Sequence, residues 1–243
     1  MEKLVYVAWK PPDASDAEFA RSLLGEVAPK LAKLGARGLT LHISDFSDSP
    51  DADVAGVLRA RISKLAAPVS GLVSFWLDSA DERAPFERAL AEATSRLAGY
   101  LVVESVPLRN TTQLAPLGRR TPGVVMLALI ERPQRLSYEE WIGHWHGHHR
   151  VVALETQCTF LYTRNVVVRA LTKDAPPWAG IVEEGFPTEA VTDPMRWYKA
   201  EGSPETLKRN LARMLESCRA FLDLDRVESH PMSEYRLMAS PGE

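Results

Sequence analysis

Residues 15–19 read S-D-A-E-F, and residues 137–152 read S-Y-E-E-W-I-G-H-W-H-G-H-H-R-V-V. Both carry S-x-x-E with an aromatic directly after it. That is the spacing of a capping box, in which the Ser hydroxyl accepts from the third N–H and the Glu reaches back to the Ser N–H. Leu136 and Trp141 stand as a hydrophobic staple around the second box. Two helices that begin alike, far apart in the chain, predict a unit written twice.

Working outward, the text around the two boxes also matches. An apolar run precedes each, Leu4–Trp9 and then Val124–Ile130. A Gly-led run follows each, Gly71-Leu72-Val73 and Gly180-Ile181-Val182. V-E-S-V-P at 103–107 and V-E-S-H-P at 227–231 close the copies. Four matches in one order mark an internal duplication. The first copy predicts strands near 3–10, 37–45, 70–77 and 100–107, with helices near 16–34 and 82–98. The second predicts strands near 123–131, 159–169, 179–186 and 226–236, with helices near 138–154 and 204–221. Ser203-Pro204 is a good start for the last helix, Ser as N-cap and Pro at the first position.

The order β-α-β-β-α-β is the ferredoxin-like unit. Val124–Ile130 is apolar throughout, so its strand must be covered on both faces. The expected fold is therefore α+β, two tandem ferredoxin-like halves packed sheet to sheet as a pseudo-dimer. Its parts are residues 1–108, a linker at 109–121, and 122–243. Pro107 and Pro231 predict that the fourth strands lie at sheet edges, since Pro cannot donate to a ladder.

Composition excludes several function classes. The 243 residues hold 29 Lys+Arg against 32 Asp+Glu, a net charge of −3, with no basic stripe for nucleic acid. The apolar run at the N-terminus is too short for a signal peptide or a membrane span. Cys158 and Cys218 lack metal or redox spacing, and a reduced cytoplasmic setting is expected. No G-x-G-x-x-G or P-loop occurs, so no nucleotide is expected, and no other cofactor is.

Chemistry is expected on the second copy's first helix. Tyr138, Trp141, Ile142, Trp145, His149 and Val152 cover an arc of about 100°, the width of a core-facing stripe. A histidine inside that stripe reads as a general base or acid in a pocket, kept neutral near pH 7 by desolvation. The plainer alternative is a core histidine satisfied by a backbone carbonyl. Gly143 and Gly147 lie on the opposite face, where another chain or the linker would compensate their low helix propensity. His144 and His148 have i, i+4 metal spacing, but no further ligands are evident to complete a zinc site.

The second half resembles the EthD-like branch of the dimeric α+β barrel superfamily. The matching residues are Trp141-x3-Trp145-x3-His149, Tyr162-x2-Asn165, Gly180-x2-Glu183-x2-Phe186 and Phe221-Leu222-Asp223. The first half looks like a degenerate copy, with Phe19, Leu23 and Val27 at the positions of Trp141, Trp145 and His149, and Ser74 at that of Glu183. The resemblance implies a ligand pocket between helix and sheet in the second half. It also favours Glu183 over Glu184 as the pocket carboxylate, since adjacent strand residues face opposite ways. Glu183 would then orient His149; the alternative is an ion pair with Arg164 or Arg169.

Tyr162 and Asn165 point to opposite faces, so at most one lines a given pocket. His230 replaces the Val106 of the first copy. Trp178 and Met195-Arg196-Trp197-Tyr198 stand in or beside Pro-rich loops that would cover a pocket mouth or an interface. Together these predict a cofactor-independent lyase or isomerase, homodimeric, acting on a small hydrophobic aromatic molecule. Its base would be His149 with Glu183, and its substrate would meet Trp141, Trp145, Tyr162, Asn165, Trp178 and His230. The rivals are a ligand-binding accessory protein and a cofactor-free, haem- or metal-dependent oxygenase.

Overall fold

The computed structural model describes residues 1–46 and 54–242. The first half of the chain supplies β1 (Glu2–Trp9), α1 (Asp16–Ser22), α2 (Ala28–Lys33), β2 (Arg37–Ile43), α3 (Val54–Arg59), β3 (Gly71–Leu77), α4 (Ala84–Ala91) and β4 (Arg96–Leu108). The second supplies β5 (Val124–Ile130), α5 (Tyr138–Ile142), α6 (Arg150–Thr156), β6 (Leu161–Ala170), β7 (Gly180–Phe186), α7 (Thr188–Val191), α8 (Pro194–Trp197), α9 (Pro204–Phe221) and β8 (Glu228–Arg236). Both capping boxes form in full, Ser15 with Glu18 and Ser137 with Glu140. Beyond each box the helix loosens into a π-helical turn, Leu23–Val27 and Gly143–His149. The turns end on Val27 and His149, the same distance from their caps.

The eight strands close into one antiparallel barrel, β1-β3-β2-β8-β5-β7-β6-β4. Within the first half the order is β4-β1-β3-β2, and within the second β8-β5-β7-β6. The strands of the two halves of the chain join edge to edge, β4 to β6 and β2 to β8. Closure removes the edges that a lone sheet exposes, which corrects the edge-strand expectation for Pro107 and Pro231. Pro107 sits in a register irregularity between Ser105 and Leu108. Pro231 pairs with Met126 on β5, while β8 meets β2 only from Ser233 onward. Ser229 donates its N–H to Ile62, away from β5, so the missing N–H of Pro231 falls on that same unladdered side. The expected helix at 82–98 is shorter, because the chain is already extended from Arg96.

Alternation sorts the side chains into three layers. Val5, Val7, Leu72, Leu127, Leu129, Ile181 and Met232 fill the barrel interior. Leu4, Tyr6, Phe19, Leu23, Val27 and Phe75 pack between the first copy's sheet and its helices. Ile130, Trp141, Trp145, Val182, Met214 and Phe221 do the same in the second. Residues 118–121 run along β8, Gly118 donating to the Arg236 carbonyl at 2.7 Å and Thr121 to that of Glu234 at 2.9 Å.

Gly143 and Gly147 have no neighbour among the described residues within 4 Å of where a Cβ would stand, so none of those residues makes the close approach expected there. Gly147→Ala should therefore stabilise the protein by about 0.5–1 kcal/mol, measured by urea unfolding. A loss of stability on that substitution would show that another molecule packs on this face. Gly180 is different: an added Cβ would lie 2.6 Å from the Trp145 ring, so only glycine lets that indole lie flat on β7.

Candidate functional site

A cavity of about 520 Å³ lies between the outer face of the second copy's sheet and its helices. Its floor comes from β5, β6 and β7, which present Met126, Ala128, Tyr162, Val182 and Glu184. Trp145, His149 and Phe221 form the helix side, and Trp197 and Tyr198 the cover. Ala60 and Ile62 of the first copy complete the wall, and Ile62 is held there by a two-way backbone bridge to Ser229. The matching region of the first copy is packed solid. Phe19, Leu23, Val27 and Phe75 are each at most 2% exposed, and Phe75 stands where β7 has Glu184.

Glu184 is the polar group that this wall does not explain. It is half-buried in the cavity wall, and its Oε1 is shut from solvent with no hydrogen-bond partner. Burial pushes its carboxyl up to about 7, so it titrates in the neutral range. His149, 9% exposed, bonds through Nδ1 to Ser217 Oγ at 3.0 Å and packs its ring 4.7 Å from that of Phe221. Burial, reinforced by His148 and Arg164, lowers the imidazole to about 4 and keeps it neutral at pH 7. Burial also raises the Tyr162 phenol well above its ordinary value, leaving it a protonated donor. Cys218 is likewise pushed up to about 12 and is no thiolate nucleophile.

His149, Trp145 and Tyr162 thus share the cavity, together with Trp197 and Tyr198 of the run expected to cover it. Glu183 does not join them. Ile181 points into the barrel, so Glu183, two residues on, points there too and cannot reach the helix side. Its Oε1 accepts from Asn165 Nδ2 at 2.8 Å and lies 4.0 Å from Lys3 Nζ, which rules out the expected His149–Glu183 pair and places no arginine against it. Asn165 is buried inside the barrel as well. Trp178 stacks there on Trp9 with ring centroids 6.3 Å apart, instead of covering a mouth. His230, on the interior face of β8, sits 3.3 Å from Glu228. Trp141 is fully buried core beneath Trp145, 4.9 Å between rings, and does not line the cavity. Ser217, which holds His149, and Ile62, which lines the cavity, carried no sequence signal, because both take their places only through tertiary packing.

Among the described residues no group of three His, Cys, Asp or Glu side chains converges on a metal-sized site. Haem suits the cavity poorly. No Lys or Arg lines it to receive the two propionates, and a buried carboxylate already stands in the wall. No helix is long and apolar enough to cross a membrane among the described residues.

No protein-family model matches the chain, and no curated protein does. Solved structures do. An anthrone oxidase-like protein aligns over 100% of this chain and 93% of its own, at 12% identity and a TM-score of 0.50. A dye-decolorizing peroxidase from Bacteroides thetaiotaomicron aligns over 97% of this chain and 93% of its own, at 11% identity and a TM-score of 0.51. At such identities the likeness is one of fold, and the fold is that of the dimeric α+β barrels.

Proposed function

We propose that the chain is an enzyme that removes a proton from a small hydrophobic, aromatic molecule bound in the second-copy cavity, with the Glu184 carboxylate as the base. The observation that carries this reading is Glu184 itself, a half-buried carboxyl near pKa 7 in the wall of an apolar cavity of about 520 Å³, with one oxygen shut from solvent and unpartnered. Such a cavity with a few convergent polar groups and a perturbed titrating residue is the pattern of a ligand site. A base is most effective when its pKa lies near the working pH, and Glu184 meets that condition where His149 does not. Tyr162 keeps its proton and donates to the oxygen on which negative charge develops. His149, neutral and fixed by Ser217, orients the ligand.

The resulting delocalised anion is common to isomerisation, elimination and decarboxylation, and equally to attack on dioxygen by the substrate's own electrons. The name of one fold neighbour, an anthrone oxidase-like protein, favours the last outcome, because anthrone is a tricyclic aromatic carbon acid of the kind such a pocket suits. The test is a thermal-shift screen of polycyclic phenols and ketones, anthrone included, followed by turnover of each binder in air and under argon. Turnover in both gases supports a lyase or isomerase, and turnover in air alone supports an oxygenase. Binding without turnover in either would leave only a carrier.

The same proposal includes the lineage. The equal strand orders, the two boxes and the two π-helical turns support a tandem ferredoxin-like duplication, and the Trp141–Trp145–His149 helix supports the EthD-like branch. It also includes a homodimer. Val103 and Val168, 61% and 56% exposed on adjoining strands, suit such an interface, and analytical ultracentrifugation tests it.

A further inference from the structure

The apolar cavity is lined by two kinds of surface. Trp145, Tyr162, Phe186 and Phe221 belong to its inner part and are buried, as is His149. Ile62, Leu215 and Leu224 line the same cavity, yet they are 57%, 37% and 39% exposed. Exposed apolar side chains scattered singly are ordinary, but several gathered at one opening mark a surface that something covers. Here three large ones meet at the rim of a single cavity. Leu211, one helical turn before Leu215 on α9, is exposed as well and carries the strip outward.

The surroundings limit what covers this strip. The exposed charges beside it are mixed in sign, Glu216 and Arg219 on α9 and Asp225 and Arg226 next to Leu224, so no basic cluster draws an anionic membrane surface. A protein seated on Ile62, Leu215 and Leu224 would cap the cavity against its own ligand. The ligand itself remains, because a molecule that fills the cavity already touches the residues that line it.

We propose that the substrate carries an apolar tail, an alkyl or prenyl chain of several carbons, on the end of its aromatic ring system away from the reacting carbon, and that Ile62, Leu215 and Leu224 select it. This names the substrate class of the site proposed above and rests on that reading. The gradient of burial sets the orientation, with the rings against Tyr162, His149 and Glu184 and the tail across the rim. An apolar tail takes the three exposed side chains out of water, and a fully buried methylene is worth about fourfold in affinity. A polar tail gains nothing there.

The test uses the full chain and the 4-n-alkylphenols from ethyl to heptyl, with Kd measured by calorimetry. Kd should fall about two- to fourfold per methylene, hence about 30-fold or more across the series. Leu215→Ser combined with Leu224→Ser, both at exposed positions that leave the core intact, should cut that ratio about fivefold or more. Leu114→Ser, at a residue 65% exposed and outside the cavity, should leave the ratio as it is in wild type. A flat series, or the wild-type ratio in the double variant, would overturn the proposal and leave the aromatic reading of the cavity standing. Failure of every alkylphenol to bind would overturn both. Conversion of a dimer to a monomer by Leu215→Glu would give the strip to another molecule of this chain and overturn the tail as well.

Discussion

Glu184→Gln is expected to lower kcat by about 10²–10⁴ on any substrate the protein turns over, while the affinity for that substrate changes little. The amide keeps the size and the hydrogen-bonding capacity of the side chain but cannot take up a proton. His149→Gln should cost less, because at a pKa of about 4 the imidazole is a weak base and its structural partner is Ser217. The pH profile separates the two candidates. If Glu184 is the base, its ionised form is active, so the wild-type rate should rise with pH through a midpoint near 7. If His149 were the base, the rate would already be at its plateau there, having risen near pH 4. Stability carries the same signature with opposite sign. A carboxyl whose pKa is raised on folding binds its proton more tightly when folded, so its contribution is lost as pH rises from its unfolded value through 7. Glu184→Gln should therefore gain on wild type over that range in urea unfolding.

Trp141→Ala should destabilise the protein by about 3–5 kcal/mol. The indole is fully buried in the core between helices and sheet, packed on Trp145, and no smaller side chain refills that volume. Part of the loss should appear as a slack Trp145, whose ring lies on Gly180 at the cavity wall. Urea unfolding at pH 8, where Glu184 is mostly ionised in wild type and variant alike, gives the number. A loss under 1 kcal/mol would mean that this layer collapses around the hole and is not close-packed.

Much of the architecture was legible because it rests on local rules. The two S-x-x-E boxes fix both helix starts, and the uniform apolarity of Val124–Ile130 requires cover on both faces of β5. Closure of the barrel was not legible. A strand whose two faces are both covered can belong to stacked sheets or to a barrel, and only the β4–β6 and β2–β8 pairings decide. Glu183 and Glu184 show the same limit at the site. Strand parity says that they face opposite ways, but Ile181 and Val182 are both apolar because both faces of β7 are buried, so composition cannot say which way is inward. The first copy held the missing signal. Phe75, the residue at the position of Glu184, packs with Tyr6 and Phe86 where the second copy leaves its cavity.

The most direct measurement is the titration of the Glu184 carboxyl in the free protein, followed by carbon-detected NMR and assigned by its absence in Glu184→Gln. The account predicts a midpoint near 7 that rises further when an aromatic ligand fills the cavity and excludes water. A midpoint near the ordinary glutamate value of about 4.3, unmoved by every ligand that binds, would contradict it.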